Sequence, residues 1–369
     1  MNTYEDLGVR KVINASATLT RLGGSLMPPS VVNAMTRAAT SFIDLTELQQ
    51  KVGDRIAAMT NNEACYLSSG AAAGIAIAVA ACMTGTNPAA IAQLPDTTGL
   101  KNEVIIHRCQ RNGYDHAARQ TGARIVEIGM AHSTHAWELD AAINDRTACV
   151  LYFAGAHFAN GALPLAQVVS AAHARGVPVL VDGAAQIPPI TNLSYFTQEL
   201  GADIAIFSGG KGLRGPQSSG LVLGKREIIE ACRANGAPNH SLGRPMKVGK
   251  EEMLGILAAV EWSLDQDEAY VLAGYEASVR GWIDGLNDLP GLTVERGYPS
   301  EAGQPHSRAI LRVGADSKRS RDEIVTALWE GDPRVAVSPV GTDGIALNPQ
   351  TLEPGEDAIV LKALRSILS

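Results

Sequence analysis

The run Val177-Pro178-Val179-Leu180-Val181-Asp182 is apolar up to its last residue, and Asp203-Ile204-Ala205-Ile206-Phe207 repeats the pattern further along the chain. Stretches with helical spacing lie between such runs, among them Tyr114–Gln120 and Leu165–Arg175. The other apolar runs are Glu103–His107, Arg124–Ile128, Ala148–Phe153 and Gly220–Leu223. Apolar strands separated by helices indicate a mostly parallel sheet that is covered on both faces. The sequence therefore predicts an α/β fold whose ligands collect at the carboxyl ends of the strands.

The segments around this core divide the chain into three predicted parts. Residues 1–45 form an N-terminal segment, and residues 46–265 form the large α/β domain. Residues 266–369 form a long connecting helix and a small C-terminal α+β domain. Further helices are predicted at Thr46–Met59, Ala71–Cys82, Glu251–Leu264 and on to Leu286, Ser320–Trp329 and Glu356–Leu368. Strands of the small domain are predicted at Leu292–Glu295, Ala309–Val313 and Gly344–Leu347.

Composition excludes several classes of protein. The chain has 369 residues, with 31 Lys and Arg against 38 Asp and Glu, and its net charge of −7 argues against nucleic acid as a partner. Its apolar runs are shorter than the ~20 residues that a membrane-spanning helix needs. No signal-peptide pattern opens the chain, so we expect a cytoplasmic protein. Its five cysteines form no C-x-x-C pair and its eight histidines have no zinc-ligand spacing, which predicts free thiols and no metal.

A lysine follows one of the predicted strands within a single turn. The segment reads Phe207-Ser208-Gly209-Gly210-Lys211-Gly212-Leu213-Arg214-Gly215-Pro216-Gln217. Glycines allow unusual backbone angles and close approach of a ligand. A lysine in a partly desolvated pocket loses its proton more readily and can form a Schiff base. Taken alone, the segment also fits an ordinary glycine-rich loop around a solvated lysine.

A carboxylate ends the neighbouring predicted strand. Asp182 closes the run that continues as Gly183-Ala184-Ala185-Gln186. An isolated Asp at a strand end is also compatible with a helix N-cap or with a ligand for magnesium or a ribose. Paired with Lys211 one strand later, it matches the acidic partner that the pyridine nitrogen of pyridoxal phosphate needs to act as an electron sink.

The small-residue turn Ser68-Ser69-Gly70-Ala71-Ala72-Ala73 opens a predicted helix. Free backbone N–H groups and the helix dipole make such a turn a phosphate site, to which serine hydroxyls add donors. The alternative is that this turn is an ordinary helix N-cap with no ligand. Ser208, three residues before Lys211, is a further candidate phosphate contact.

Phosphate turn, ring carboxylate and Schiff-base lysine follow one another in the order that fold-type I pyridoxal-phosphate enzymes use. Within that superfamily the chain resembles the selenocysteine-synthase-like branch, and above all its ammonia-lyases. The motifs that carry the resemblance are Arg10–Ser16, Ser68–Ala73, Arg111–Ala117, Gly155–Leu165, Val181–Gln186, Phe207–Lys211 and Gly243–Lys250. The resemblance implies the fold-type I transferase fold, a mostly parallel sheet of the seven-stranded type with helices on both faces and a small C-terminal α+β domain.

The resemblance also implies roles for individual residues. Lys211 holds the cofactor and then serves as general base and acid, while Asp182 keeps the pyridine nitrogen protonated. The remaining implied cofactor contacts are Ser69, Gly70, Ala71 and Ser208 at the phosphate, with Gln186 and Tyr114 near the ring. Gln110 and Arg111 are alternatives to Tyr114 as the residue that stacks on the ring. Candidates for binding anionic substrate groups are Arg21, Arg244, Lys247 and Arg308, with an exposed surface charge as the alternative for each.

The resemblance implies a pyridoxal-phosphate lyase that eliminates ammonia from a 2-amino-3-hydroxy acid, such as an aminosugar acid phosphate. The same chemistry serves amino-acid racemases and selenium or sulfur transferases, and the motifs leave these open. A non-catalytic regulatory protein that binds pyridoxal phosphate is an alternative of another class. A nucleotide-binding protein is disfavoured, because the chain lacks G-x-x-x-x-G-K-[ST] and a G-x-G-x-x-G after its first strand. We expect a homodimer or a higher even-numbered oligomer, with Asn239–Lys250 as the loop that reaches a neighbour's phosphate site.

Overall fold

The computed structural model describes residues 3–368, and the largest of the sheets in this part of the chain has seven strands. The strands are β1 Val12–Asn14, β2 Ala64–Ser68, β3 Glu103–His107, β4 Arg124–Ile128, β5 Thr147–Phe153, β6 Val179–Asp182, β7 Ile204–Ser208, β8 Gly220–Gly224, β9 Leu292–Gly297, β10 Arg308–Val313, β11 Arg334–Ala336, β12 Ser338–Val340 and β13 Gly344–Leu347. The helices are α1 Pro29–Ala38, α2 Leu45–Met59, α3 Ala71–Thr84, α4 Pro88–Gln93, α5 His116–Arg119, α6 Ala136–Ala142, α7 Ala156–Ala159, α8 Leu165–His173, α9 Asn192–Ser194, α10 Arg226–Asn235, α11 Lys250–Leu264, α12 Glu268–Leu286, α13 Arg321–Glu330 and α14 Glu356–Leu368.

The large sheet runs in the order β2-β8-β7-β6-β5-β3-β4. Only β8 is antiparallel to its neighbours, β2 and β7, and every other pair in this sheet is parallel. Alternate residues of the buried strands enter two separate apolar layers, Val181 on one face and Leu180 on the other. The predicted α/β fold with a mostly parallel sheet and helices on both faces is therefore confirmed.

Helix α3 packs closely against the sheet because it is built from small residues. Its buried residues include Gly74, where an added Cβ would lie 3.0 Å from the side chains of Ile206 and Val222. This helix is apolar on nearly all sides, since it lies between the sheet and α10. The sheet and α10 together therefore hold the start of α3 at a defined position beside β2.

The structure forms two compact units. One contains residues 27–265 and the large sheet, and the other joins residues 3–26 to residues 266–368. In the second unit, β12-β13-β10-β9 form an antiparallel sheet, and β1 pairs in parallel with β11. Trp282 of α12 is buried there and donates to the carbonyl of Asp357 at 2.9 Å. The long helical stretch expected up to Leu286 is two helices, α11 and α12, and the Asp267 side chain caps the second.

The sequence predicted a helix over Tyr114–Gln120, and the structure corrects this. Residues Gly113–Asp115 form a single 3₁₀ turn, and α5 covers only His116–Arg119. Asn112 accepts a hydrogen bond from the Tyr114 backbone at 2.7 Å. This cap fixes the start of the 3₁₀ turn, so the side chain of Tyr114 is presented by a turn and not by a regular helix.

Candidate active site

Three of the predicted segments meet at one edge of the large sheet. Ser68 at the end of β2 and Ser208 at the end of β7 both pair with Gly220, the first residue of β8. On the next strand, Asp182 at the end of β6 pairs with Ile206 of β7. Since β2, β6 and β7 run in the same direction, the turns that follow them leave the sheet on the same side.

Asp182 is a buried carboxylate with one oxygen available. It is 8% exposed, and its Oδ1 accepts a hydrogen bond from the Ala184 backbone at 2.9 Å. Its Oδ2 accepts none from the part of the chain that the structure describes. Burial raises the pKa of Asp182, whereas the Ala184 N–H and the charge of Lys211 act in the opposite direction. A carboxylate oxygen that is open in this way suits a cationic N–H donor, such as a protonated pyridine nitrogen.

Lys211 lies in the tight turn that follows β7. The turn is closed by Arg214, whose backbone N–H donates to the Lys211 carbonyl at 3.0 Å. A Cβ at Gly212 would lie 2.2 Å from the carbonyl oxygen of Ile187, so this turn packs directly on the segment after Asp182. Burial lowers the pKa of Lys211, and the charge of Asp182 partly opposes that shift. The amine is therefore more readily neutral than a solvated lysine, as carbonyl addition and proton removal require.

The turn before α3 offers backbone donors. Gly70 is the N-cap of this helix and has no side-chain capping bond, so the first N–H groups of α3, those of Ala71, Ala72 and Ala73, lack a helical partner. The Ser69 hydroxyl donates to the Met246 carbonyl at 3.0 Å, and the Ser68 hydroxyl donates to the Gly70 carbonyl at 2.9 Å. With both hydroxyl protons used, the backbone N–H groups are the main donors that this turn can offer a phosphate.

The residues proposed to stack on a ring fall into different environments. The Gln110 amide both donates to the Phe153 carbonyl and accepts from the Phe153 N–H, each at 3.2 Å, so it extends the sheet beyond the end of β3. Arg111 is bound to the buried Asp115 at 2.5 Å and also pairs with Glu127. Tyr114 is 59% exposed. Of the three side chains, Tyr114 is the least engaged by the protein, and it is the one with an aromatic ring.

Gln186, four residues after Asp182, also lies at this edge. Its side-chain amide donates to the Ala154 carbonyl at 3.3 Å, across from β6 to the end of β5. That carbonyl follows Phe153, the residue that pairs with Asp182 in the sheet. Gln186 therefore ties the segment after Asp182 to the neighbouring strand.

The four basic candidates lie in two groups. In the large unit, Arg244 and Lys247 are exposed and pair with no carboxylate among residues 3–368. In the other unit, Arg308 pairs with Glu301 at 3.0 Å, and the guanidinium of Arg21 lies 5.6 Å from the ring centre of Trp329. Arg308 thus has a protein carboxylate beside it, whereas the other three cations are open to an external anion.

A cavity of about 530 Å³ adjoins the turn before α3. It lies between α4 and the loop that contains Met246, whose carbonyl accepts from Ser69. Residues lining it include Ile91, Leu94, Pro95, Leu242, Arg244 and Met246. The contact between Met246 and Ser69 has no signal in the sequence, because the two residues are 177 positions apart.

Comparison with known proteins identifies the family. The profile of the family described as "Aminotransferase class-V" matches residues 27–240. The chain belongs to the aminotransferase class-V family. A D-glucosaminate-6-phosphate ammonia lyase of Salmonella typhimurium (strain 14028s / SGSC 2262) is 34% identical over 99% of this chain and 98% of its own length. A solved structure of D-glucosaminate-6-phosphate ammonia-lyase superposes with a TM-score of 0.87 at 33% identity, covering 100% of this chain and 98% of that one.

A second relative of this aminotransferase class-V chain has a different activity. The 5'-C-glycyluridine monooxygenase-decarboxylase of a Streptomyces species is 32% identical over 99% of this chain and 92% of its own length. The resemblance inferred from the motifs and the pyridoxal-phosphate cofactor are both confirmed, and the chain is a pyridoxal-phosphate-dependent enzyme. The residues fit that cofactor, because Asp182 has an available oxygen, α3 has open N–H donors and Lys211 has a lowered pKa.

Residues 3–368 contain no metal-binding cluster and no membrane-spanning helix. No group of three or more His, Cys, Asp or Glu side chains in this part of the chain is arranged to hold a metal ion. None of its helices combines the length and the apolar character needed to cross a bilayer.

Proposed function

We propose that this enzyme is a lyase that releases ammonia from a 2-amino-3-hydroxy acid, with an aminosugar acid phosphate as the substrate class. The observation that carries the proposal is the full-length similarity to the ammonia lyase, at 34% identity, in a chain with Asp182 and Lys211 at one sheet edge. Pyridoxal phosphate, when bound, supplies the electron sink for carbanion chemistry next to the substrate nitrogen.

Lys211 is the residue that moves protons in this proposal. Its ammonium pKa is lowered by burial, so a useful fraction of the amine is neutral and can remove the proton from the substrate Cα. The protonated Nζ is then the acid that protonates the departing β-hydroxyl. Asp182 is the fixed negative charge: Oδ1 is bound to the Ala184 N–H, and Oδ2 would keep the pyridine nitrogen of the bound cofactor protonated.

The turn before α3 and the turn after β7 supply the proposed phosphate contacts. Ser69, Gly70 and Ala71 lie at the positive end of the α3 dipole, where an anion is stabilised. Ser208 lies across Gly220 from Ser68, about 10 Å away over two strand spacings. Gln186 and Tyr114 remain proposed contacts near the ring.

The proposed reaction balances without an external oxidant. The substrate loses its Cα proton and its β-hydroxyl as one water, and hydrolysis of the resulting enamine consumes one water. The products are ammonia and a 2-keto-3-deoxy acid. A substrate of this class carries a carboxylate and a phosphate, and Arg21, Arg244, Lys247 and Arg308 are the proposed cations for these groups.

The deciding experiment supplies the purified enzyme with a panel of 2-amino-3-hydroxy acids, phosphorylated and not. Ammonia and keto-acid release in equal amounts supports the lyase. Oxygen uptake with carbon dioxide release would instead favour the chemistry named for the Streptomyces relative. Exchange of the Cα proton with deuterated solvent without ammonia release would favour a racemase. Bound cofactor with neither exchange nor product would favour a non-catalytic binding protein.

We also propose a homodimer or a higher even-numbered oligomer. The loop from Asn239 to Lys250 contains exposed Arg244 and Lys247 and lies against the phosphate turn through Met246. A second subunit docked on this loop would exclude water from the phosphate turn. Light scattering at micromolar concentration should give at least twice the chain mass of 38.7 kDa. A fully active monomer would contradict the proposal.

A further inference from the structure

An arginine pair flanks one tryptophan in the unit formed by residues 3–26 and 266–368. The guanidinium carbon of Arg334 lies 4.5 Å from the centre of the Trp329 ring, and that of Arg21 lies 5.6 Å from it. The two cations are therefore within about 10 Å of one another on a half-buried ring. Contact with an aromatic ring offsets part of the cost of placing a cation there, but it uses none of the N–H donors.

One of these two arginines, Arg334, is a capping residue at the C-terminal end of α13. Arg334 donates from Nε to the Trp329 carbonyl at 2.8 Å, and Arg10 donates to the carbonyls of Glu330 and Gly331. Cations at a helix C-terminus are stabilised by the open carbonyls and by the helix dipole. Arg10 and Arg334 are thus accounted for as capping residues of this helix.

Arg21 has no such role. Among residues 3–368 its guanidinium makes no hydrogen bond and no ion pair, and it lies against the Trp329 ring. The nearby carboxylates of Glu330 and Asp332 are exposed and pair with none of the three arginines. A guanidinium presents five N–H donors in a flat fork. Within residues 3–368, all five of Arg21 and the Nη groups of Arg334 lack a protein acceptor.

We propose that Arg21, assisted by Arg334 on the same tryptophan, forms a binding site for a phosphate-class dianion. Planar guanidinium groups match the geometry of phosphate oxygens, and two of them compensate a double negative charge better than one. The ring of Trp329 restricts both side chains before the ligand arrives, which lowers the entropy lost on binding. Two sources fit this chemistry, the phosphate ester of the proposed substrate and free inorganic phosphate, and the first of these rests on the proposed function.

Fluorine NMR of the holoenzyme tests this without turnover. The chain has four tryptophans, Trp137, Trp262, Trp282 and Trp329, so protein labelled with 5-fluorotryptophan gives one signal for each. The variant W329F assigns the fourth. Titration with inorganic phosphate should move the Trp329 signal to saturation, while the buried Trp282 stays still. Sodium chloride at the same ionic strength is the control for screening, since exposed charges respond to salt in general.

The ligand panel separates the two sources. A sugar acid phosphate without an amino group should bind more tightly than inorganic phosphate if the site serves the substrate, and equally if it serves the free ion. The same sugar acid without phosphate should not move the signal. Because no reaction occurs with these probes, the result stands even if the lyase proposal fails.

Variants link the signal to the two arginines. R21A should weaken phosphate binding at least about tenfold, as loss of a charge-assisted contact predicts, and R334K should weaken it less. R312A is the matched control, because Arg312 lies in the same unit but is already paired with Asp343 at 3.1 Å. R21A removes no capping bond, so it should fold normally. A Trp329 signal that does not saturate, that follows chloride equally or that is unchanged in R21A would overturn the proposal.

Discussion

Replacement of Asp182 by Asn is the sharpest test of the proposed chemistry. The two side chains have the same shape, and the Asn carbonyl can keep the 2.9 Å bond from the Ala184 N–H. The change therefore removes the negative charge from the buried position and leaves the local backbone in place. Without that charge nothing at this position holds the proton on the pyridine nitrogen, so the electron sink is weakened.

The magnitude follows from the burial of this group. Asp182 is 8% exposed, so solvent screens its charge little, and an electrostatic contact that strengthens in the transition state contributes more there than at the surface. We expect kcat to fall by about 10²–10⁴, which corresponds to about 3–5 kcal/mol of transition-state stabilisation. The thermal midpoint of the cofactor-free protein should change little.

The assay is ammonia release at saturating cofactor, with the absorbance of the bound cofactor recorded alongside. Asp203→Asn is the matched control, because Asp203 is also buried but accepts from the Val179 backbone at 2.7 Å and pairs with Lys225 at 2.5 Å at the opposite edge of the sheet. That variant should lose stability and leave kcat nearly unchanged. If Asp182→Asn retains kcat within tenfold of the wild type, the assigned role is wrong.

Three further predictions follow from other residues. Lys211→Ala should abolish ammonia release, and borohydride, which should fix the cofactor on Lys211 in the wild type, should leave none attached; labelling of another lysine in the wild type would contradict this. Gly220→Ala places a Cβ 2.8 Å from the Gly70 carbonyl carbon and from the Ser68 hydroxyl oxygen, so the turn before α3 must shift. Cofactor affinity should then fall at least about tenfold in an absorbance titration, and unchanged affinity would argue against the proposed phosphate site. Burial lowers the pKa of His107 from 6.5 to about 4, so folding favours its neutral form. The folded state is therefore most stable above pH 6.5, and its free energy of unfolding falls as the pH drops towards 4. Urea unfolding should show a drop of about 3 kcal/mol over that range in the wild type that is absent in His107→Phe, and parallel pH profiles for the two proteins would refute it.

The positions of Asp182 and Lys211 were predictable because ligands of parallel sheets bind at the carboxyl ends of the strands. Asp182 and Lys211 each follow an apolar run, and parallel strands bring their carboxyl ends together without further information. Strand β2 was not predicted, since Ala64–Ser68 is short and contains Ala and Cys, which are weak strand signals. Helix α1 was also missed, because it is preceded by Pro28, which offers no side-chain cap.

Contacts between distant parts of the chain account for most of what the sequence left open. Gln110 was a candidate for ring stacking, but its amide pairs with Phe153, 43 positions away. Tyr114 was placed on a helix, whereas the pairing of Asp115 with Arg111 and Arg119 accompanies a 3₁₀ turn there. Such pairings depend on which loops become neighbours after folding, and local periodicity contains no information about that.

With the cofactor phosphate at its proposed place before α3, the hydrogen bond from Ser69 to the Met246 carbonyl would couple cofactor occupancy to the order of the loop that contains Met246. A phosphate bound at the start of α3 would restrain Ser69, and a restrained Ser69 would restrain the loop from Asn239 to Lys250. A ligand that binds the ordered loop would raise cofactor affinity by the same factor by which the cofactor raises the affinity for that ligand. Limited proteolysis within this loop should accordingly slow as pyridoxal phosphate is added, and the protease would serve as a gauge of cofactor content.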